Sequence, residues 1–475
     1  MDSTPVTEPS NCTLEESDST DEEYEDACDS PLEQCITDSI VRAKDTGTLE
    51  TLENFFSLVP SGVSTYRPSQ QSIPEEPEPI SSPDSFCDFF QMLAPSKPQK
   101  PRDNLPYPRD RSTLNLWSLL KNMVGKDVTK IAMPVHLNEP LSFTQRMVED
   151  IEYVDLCHKA AAAQTVHKRL AYVAALASSC FVTTLTRHSK PFNPLLGETY
   201  EMVNKEGGYC VVTEQVSHHP PVTAMYVESE KWVLWQEYTL NIKFRGQWVK
   251  VLPTGMVHFK TKDDGYHYSW NKPNTVIHNL ILGSIWADHE GDVVVNCHNT
   301  GDKAVVSWVA YSKAKERYRE LNGQVFNSEG EVQYLLHGAW DKGMVRKNPD
   351  GSGVKEMWVA NEPVPDSERQ YGYTKFSMTL NEPDRSVTCP TDSRLRPDQR
   401  LLENGLVEEA GNEKYRLEEK QRAARKRREA DRETYKPLWF DMYADPDTET
   451  SYYSFNGKYW DSKLKNDWTA CPDIY

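Results

Sequence analysis

Two adjacent histidines followed by two prolines, within Glu214-Gln215-Val216-Ser217-His218-His219-Pro220-Pro221, form the stretch of this chain best suited to chemistry. Prolines fix φ and withdraw two backbone donors, so the chain must leave any central strand here. The imidazoles are thereby held on a stiff corner, where both can aim at one site and each offers two ring nitrogens as donor or acceptor. A phosphate-like anion suits that arrangement. A satisfied structural His pair is the plainer reading of such a dipeptide. Zinc fits worst, because no cysteine or His-x-x-x-His partner stands at ligand spacing.

Two further segments carry charge in fixed positions. Lys190-Pro191-Phe192-Asn193-Pro194-Leu195-Leu196-Gly197-Glu198 reads as a rigid turn presenting Lys190, Asn193 and Glu198, either as solvated charges on a structural turn or as part of a site. In Lys414-Tyr415-Arg416-Leu417-Glu418-Glu419-Lys420-Gln421-Arg422, the residues Lys414, Glu418 and Arg422 recur at helical i,i+4 spacing. A salt-bridge ladder of a few tenths of a kcal/mol per pair is the ordinary meaning of that pattern. No nucleophile, base and oxyanion-hole set and no Walker-type loop is present, so neither catalysis nor a cofactor or metal is expected.

The elements that must hold these residues follow from periodicity. Trp232, Leu234, Tyr238, Leu240, Ile242 and Phe244 alternate with more polar neighbours, the period of a strand with one buried face. Further strands are read at Val251–Phe259, Tyr266–Trp270, Asp292–Cys297 and Ala304–Tyr311, parted by Asp264-Gly265 and Glu290-Gly291. Many antiparallel strands without intervening helices favour a barrel or a sandwich. Upstream, Leu141–Ala162 and Val166–Thr186 read as two scaffold helices. A third begins at Ser112 and Thr113, shows an apolar face of Leu116, Trp117, Leu119, Leu120, Met123 and Val124, and stops at Gly125.

The 475 residues carry a net charge of −19, which argues against nonspecific nucleic-acid binding. The ten cysteines are scattered singly, pointing to a reducing compartment. No apolar run is long enough to span a bilayer, and no signal peptide is expected, so a cytosolic protein with peripheral membrane contact is the expectation. Residues 1–111 are acidic and rich in Ser, Thr and Pro, and read as disordered. Within them, Asp21–Asp29 sets Tyr24 and Ala27 among acids, either as a solvating tail or as a linear motif steered to a basic partner.

Taken with Pro390–Asp398 and Cys471–Tyr475, the octapeptide, the Lys190 turn and the Lys414 helix make residues 112–475 resemble the oxysterol-binding protein family. The resemblance implies an α+β domain: a large, mainly antiparallel β-barrel enclosing a lipid pocket, with an N-terminal lid at about 114–134, N-terminal helices and C-terminal helices. It implies a phosphatidylinositol 4-phosphate site in which Lys190, His218, His219, Lys414 and Arg422 meet the phosphates while Asn193, Glu198 and Glu418 meet inositol hydroxyls. The 21–29 segment resembles the FFAT motif for VAP proteins of the endoplasmic reticulum, through Tyr24, Asp26, Ala27 and Asp29. Weaker likenesses stand at Glu53–Leu58 and Asp88–Met92. The pleckstrin-homology domain of full-length relatives has no counterpart in the pattern. The implied function is exchange of sterol and phosphatidylinositol 4-phosphate between the endoplasmic reticulum and another membrane at a contact site. Alternatives are exchange of phosphatidylserine for the phosphoinositide, or a sterol-sensing scaffold without net transport.

Overall fold

The computed structural model describes residues 89–93, 102–109 and 134–475, the last with breaks at 246–247, 280–285, 313–317, 385, 387 and 446–449. The expected lid residues Leu116, Trp117, Leu119, Leu120, Met123 and Val124, and the FFAT-like Tyr24, Asp26, Ala27 and Asp29, lie outside the described residues.

Strands β1 (Asn138–Ser142) and β2 (Lys190–Phe192) pair in parallel as a small separate sheet. The chain then meanders through β3 (Thr199–Asn204), β4 (Tyr209–His218), β5 (Pro221–Ser229), β6 (Trp232–Tyr238), β7 (Leu240–Arg245), β8 (Trp248–Pro253), β9 (Met256–Thr261), β10 (His267–Asn271) and β11 (Asn274–His278). It continues through β12 (Trp286–Cys297), β13 (Lys303–Trp308), β14 (Glu320–Phe326), β15 (Val332–Ala339), β16 (Gly343–Lys347) and β17 (Lys355–Val359). These form a 15-stranded antiparallel sheet whose main path runs from β17 to β3, with β7, β8 and β11 branching from it.

The expected closed barrel needs correction, because hydrogen bonds do not close this sheet: its path ends at β3 and at β17. The edge of β3 is taken by another segment. Thr199 N–H donates to the Thr391 carbonyl at 2.9 Å, and Thr199 forms a parallel bridge to Asp392. The long strands read from the sequence are also divided. Thr254 and Gly255 separate β8 from β9, and at Gly255 an added Cβ would stand only 2.0 Å from the Glu237 carbonyl oxygen.

One face of the sheet packs on helices. Of the two helices expected, Leu141–Ala162 is broken: Leu141 belongs to β1, and the chain continues through α1 (Phe143–Arg146), a 3-10 turn and α2 (Asp155–Ala161). The break follows from capping, since the Gln145 side chain accepts from Ser142 N–H at 2.9 Å and starts a helix there. α3 (Val166–Ser179) is continuous, buries Leu170, Val173, Ala174 and Leu176, and shares one core with Tyr209, Val211, Trp232, Leu234, Phe259, Val293, Val306 and Leu336.

The other face is covered from the C-terminal side. After α4 (Lys375–Thr379), α5 (Pro397–Glu403) and α6 (Val407–Asp431), a hairpin of β18 (Phe440–Asp445) and β19 (Thr450–Phe455) precedes α7 (Lys458–Lys465). Trp439, Phe440, Phe455, Tyr459 and Trp460 pack there against Cys210, Val212, Val216, Val222 and Ala224. Hence β4 is buried on both faces over eight consecutive residues.

Residues 1–111 are not all outside the domain, contrary to the sequence reading. The helical turn 89–93 buries Phe90 and Leu93 in that same aromatic cluster, with Phe89 packed against it, while Gln91 and Met92 stay exposed. Leu105 enters the main core, and Arg102 reaches the Met378 carbonyl at 2.7 Å and Glu403 at 2.6 Å. Among the described residues no helix is long and apolar enough to cross a membrane.

Candidate functional site

The two proline-rich signatures are joined backbone to backbone. Gly197 N–H donates to the Gln215 carbonyl at 3.0 Å, and Gln215 N–H donates to the Glu198 carbonyl at 2.8 Å. Gly197 has φ 84, the left-handed region that glycine adopts without penalty. Glu214, the first residue of the octapeptide, accepts from Leu438 and Trp439 N–H at 2.9 and 3.0 Å and so ties β4 to the C-terminal segment. Burial pushes its carboxyl up to about 7, against the opposing effect of those hydrogen bonds.

At its far end β4 slips register against β5 between Gln215 and Ser217, and then closes on Pro221 through a cis His219–Pro220 bond. A bulge of this kind re-aims the side chains that follow it. The His218 and His219 rings consequently meet edge to face, with centroids 4.8 Å apart, on the side facing α6. Burial pushes the His218 imidazole down to about 4, and His219, Arg425 and Arg428 add to that shift. His219 is lowered too, by burial and then by Arg425.

α6 supplies the opposite wall. At about 100° per residue, positions 414, 418, 421 and 425 form one narrow stripe, whereas 422 stands well round the helix from it. Lys414 is buried and pairs with Glu418 at 2.8 Å. Gln421 bridges both signatures: its carbonyl oxygen accepts from Leu196 N–H at 2.8 Å, and its amide nitrogen lies 2.8 Å from His218 Nε2. Arg425 lies 2.9 Å from His219 Nε2. Both contacts present donors to unprotonated ring nitrogens, which agrees with neutral imidazoles.

Lys190 completes the cluster from β2. Burial, then Lys414, pushes its ammonium down to about 8, while Glu418 works in the opposite sense. The structure thus gathers Lys190, His218, His219, Lys414 and Glu418 around one stripe of α6. Asn193 sits on the turn beside them, its carbonyl held by Arg396 at 2.8 Å. Two buried polar atoms there, Asn193 Oδ1 and His218 Nδ1, have no hydrogen-bond partner among the described residues. Buried polar groups seldom stay unsatisfied without a ligand or water to meet them.

Two expected residues are placed differently. Glu198 faces the interior rather than a ligand. It is fully buried and accepts from Leu195 N–H at 2.9 Å, Arg396 at 2.9 Å and the Ser393 hydroxyl at 2.7 Å, which leaves it a positioning group for the turn. Arg422 is exposed at the rim, paired with Glu419 and, at 3.7 Å, with Glu418. Sequence reading missed Gln421 and Arg425. The signal was present in the alternating steps of four and three from Lys414, which track a helix face more closely than repeated steps of four.

The oxysterol-binding protein family profile matches residues 115–464. The chain is 41% identical over 394 residues to oxysterol-binding protein 2 of Mus musculus, covering 76% of this chain and 43% of that one. It is 38% identical over 395 residues to oxysterol-binding protein homolog 2 of Saccharomyces cerevisiae, covering 77% and 31% respectively. The chain therefore spans less than half the length of these relatives. Among solved structures, the Osh1 ORD domain in complex with cholesterol aligns with TM-score 0.74 and 35% identity over 83% of this chain and 98% of that chain. The Osh3 ORD in complex with PI(4)P, from Saccharomyces cerevisiae, aligns with TM-score 0.69 and 30% identity over 80% and 100%. The chain belongs to the oxysterol-binding protein family.

Proposed function

We propose that this chain is a lipid transfer protein that holds either a sterol or phosphatidylinositol 4-phosphate in one pocket and exchanges them between the endoplasmic reticulum and another membrane. The observation that carries the reading is the cluster at α6: two lysines and two histidines converge where Asn193 Oδ1 and His218 Nδ1 are buried with no partner among the described residues. The phosphoinositide headgroup bears two phosphates, and the cluster offers cations or donors at both ends of a stretch of α6 about 10 Å long between Lys414 and Gln421.

Lys190 and Lys414 meet one phosphate, Glu418 turning from Lys414 towards an inositol hydroxyl. His218 and His219 meet the other through ring N–H groups, with Asn193 accepting from a hydroxyl and Arg422 closing over the rim. Glu198 holds the turn and makes no contact with lipid. The complexes of related domains with cholesterol and with PI(4)P support one fold serving both ligands. A lid over 114–134 has two apolar destinations, the pocket and the membrane interface, so that opening at a membrane loads or unloads cargo. The motif around Tyr24 and Asp26 recruits a VAP protein. No chemical step is involved.

Binding is tested with short-chain phosphatidylinositol 4-phosphate and the full chain. Saturable binding is expected, displaced by cholesterol and lost in Lys190→Ala/Lys414→Ala. Equal affinity for unphosphorylated phosphatidylinositol would overturn the headgroup assignment. Displacement by phosphatidylserine but not by sterol would replace the second lipid. For the VAP claim, a peptide of residues 15–35 should capture a VAP domain, and Tyr24→Ala/Asp26→Ala should abolish capture.

A further inference from the structure

Cys389 and Cys471 are distant in sequence and adjacent in the fold. Cys389 is fully buried in the aromatic cluster of Trp439, Tyr459 and Trp460, and Cys471 packs against that cluster from its half-exposed side. Cys389 Sγ lies 3.2 Å from the Thr391 hydroxyl and 3.6 Å from that of Thr199. Cys471 packs on the cluster that holds Cys389, within interaction range of Cys389 and of the same Thr391. Burial raises the Cys389 thiol, but hydrogen bonds from Cys471, Thr391 and Thr199 outweigh it and leave the group below its ordinary value. Cys471, hydrogen-bonded to Cys389 and buried, is held well above its own. Two thiols are thus neighbours in one cluster, one buried and the other reaching towards solvent.

The tail that carries Cys471 also braces α6. Lys420, next to Gln421, donates to Asp473 at 2.8 Å and to the Tyr475 carbonyl. Tyr475 donates its hydroxyl to the Thr391 carbonyl at 3.0 Å, the same carbonyl that holds Thr199 at the edge of β3. Pro472 lies against Gly197, 3.4 Å from where a Cβ would stand. Residues 471–475 therefore touch the signature turn, the β3 edge and the helix that closes the candidate site.

We infer that Cys389 and Cys471 form a reversible intramolecular disulfide under oxidising conditions, and that this bond clamps the C-terminal tail on α6 and slows exchange of whatever the α6 site holds. Two thiols and one hydrogen peroxide give one disulfide and two waters, with the sulfurs losing two electrons to the peroxide. A dithiol reductant returns both thiols. The clamp acts because the tail must yield whenever α6 moves away from His218 and Leu196, and a covalent tie to the buried Cys389 removes that freedom. The effect on lipid rests on the headgroup reading above, whereas the bond and its stiffening of α6 do not.

The test oxidises the full chain with hydrogen peroxide, blocks remaining thiols, and maps peptides without reduction. A linked Cys389–Cys471 peptide that dithiothreitol releases is expected, with amide exchange in 414–428 and 468–475 slowed about tenfold. Cys471→Ser, a near-isosteric change on the half-exposed side, should match the reduced chain and lose both responses to peroxide. No linked peptide overturns the site. A linked peptide with unchanged exchange in α6 overturns the clamp, as does protection that persists in oxidised Cys471→Ser. Release of phosphatidylinositol 4-phosphate to acceptor vesicles should slow in parallel. If the reduced chain releases none at all, the headgroup reading fails, while the peptide and amide data still decide the clamp.

Discussion

His218 and Lys190 are both kept from full charge by the same cause, burial beside other cations. An arriving phosphate reverses that cause. Lys190 holds its proton below about 8 in the unliganded protein, and a bound anion must raise that value. Binding near pH 8 therefore takes up a proton, and affinity falls as pH rises through the unliganded value. Titration calorimetry in two buffers of different ionisation enthalpy should show this uptake, and Lys190→Ala should abolish it. Binding heats that do not depend on the buffer would contradict the assignment. Gln421 gives a second prediction at this scale. It makes two hydrogen bonds across the closed site, each worth about 1 kcal/mol, so Gln421→Ala should slow phosphoinositide transfer by about thirtyfold. Arg422→Ala, removing an exposed pair of the kind worth about 0–1 kcal/mol, should change it by less than about threefold. A larger effect at Arg422 than at Gln421 would place the ligand on the other flank of α6.

At the scale of elements, the strap over 102–109 changes where the domain begins. Arg102 bonds to the Met378 carbonyl and to Glu403, whose side chain is fully buried. Arg102→Ala should cost about 2–3 kcal/mol in denaturant unfolding, because it strands part of a buried carboxylate's hydrogen bonding. An unchanged midpoint would contradict a stabilising role for the strap. Sequence reading missed this strap because its contacts are made by isolated residues, Arg102, Leu105 and Arg109, within a proline-rich stretch that has no periodicity. The same reading found β6 but took it for a strand with one wet face. Trp232 and Leu234 point into the main core while Val233 and Trp235 meet Tyr443 and Tyr452, so both faces are dry. A covering hairpin more than 200 residues downstream leaves no local mark on β6. The histidine corner was legible because proline chemistry is local. The inward turn of Glu198 was not, because its partners Ser393 and Arg396 lie on a distant segment.

Across the whole molecule, one sheet carries two cores. α3 packs on one face, and the C-terminal hairpin, α7 and the 89–93 turn cover the other. The β3 edge is sealed by Thr391 and Asp392 instead of by β17, and the candidate site is assembled where the sheet, the β2 turn and α6 meet. The most direct test follows sterol and phosphatidylinositol 4-phosphate simultaneously between two vesicle populations with the full chain, alongside His218→Ala/His219→Ala. The two lipids should move in opposite directions, and the double variant should lose phosphoinositide transport by at least about tenfold, at about 1–2 kcal/mol for each charge-assisted bond, while still binding sterol. Phosphoinositide transport that survives the double substitution unchanged would contradict the central claim.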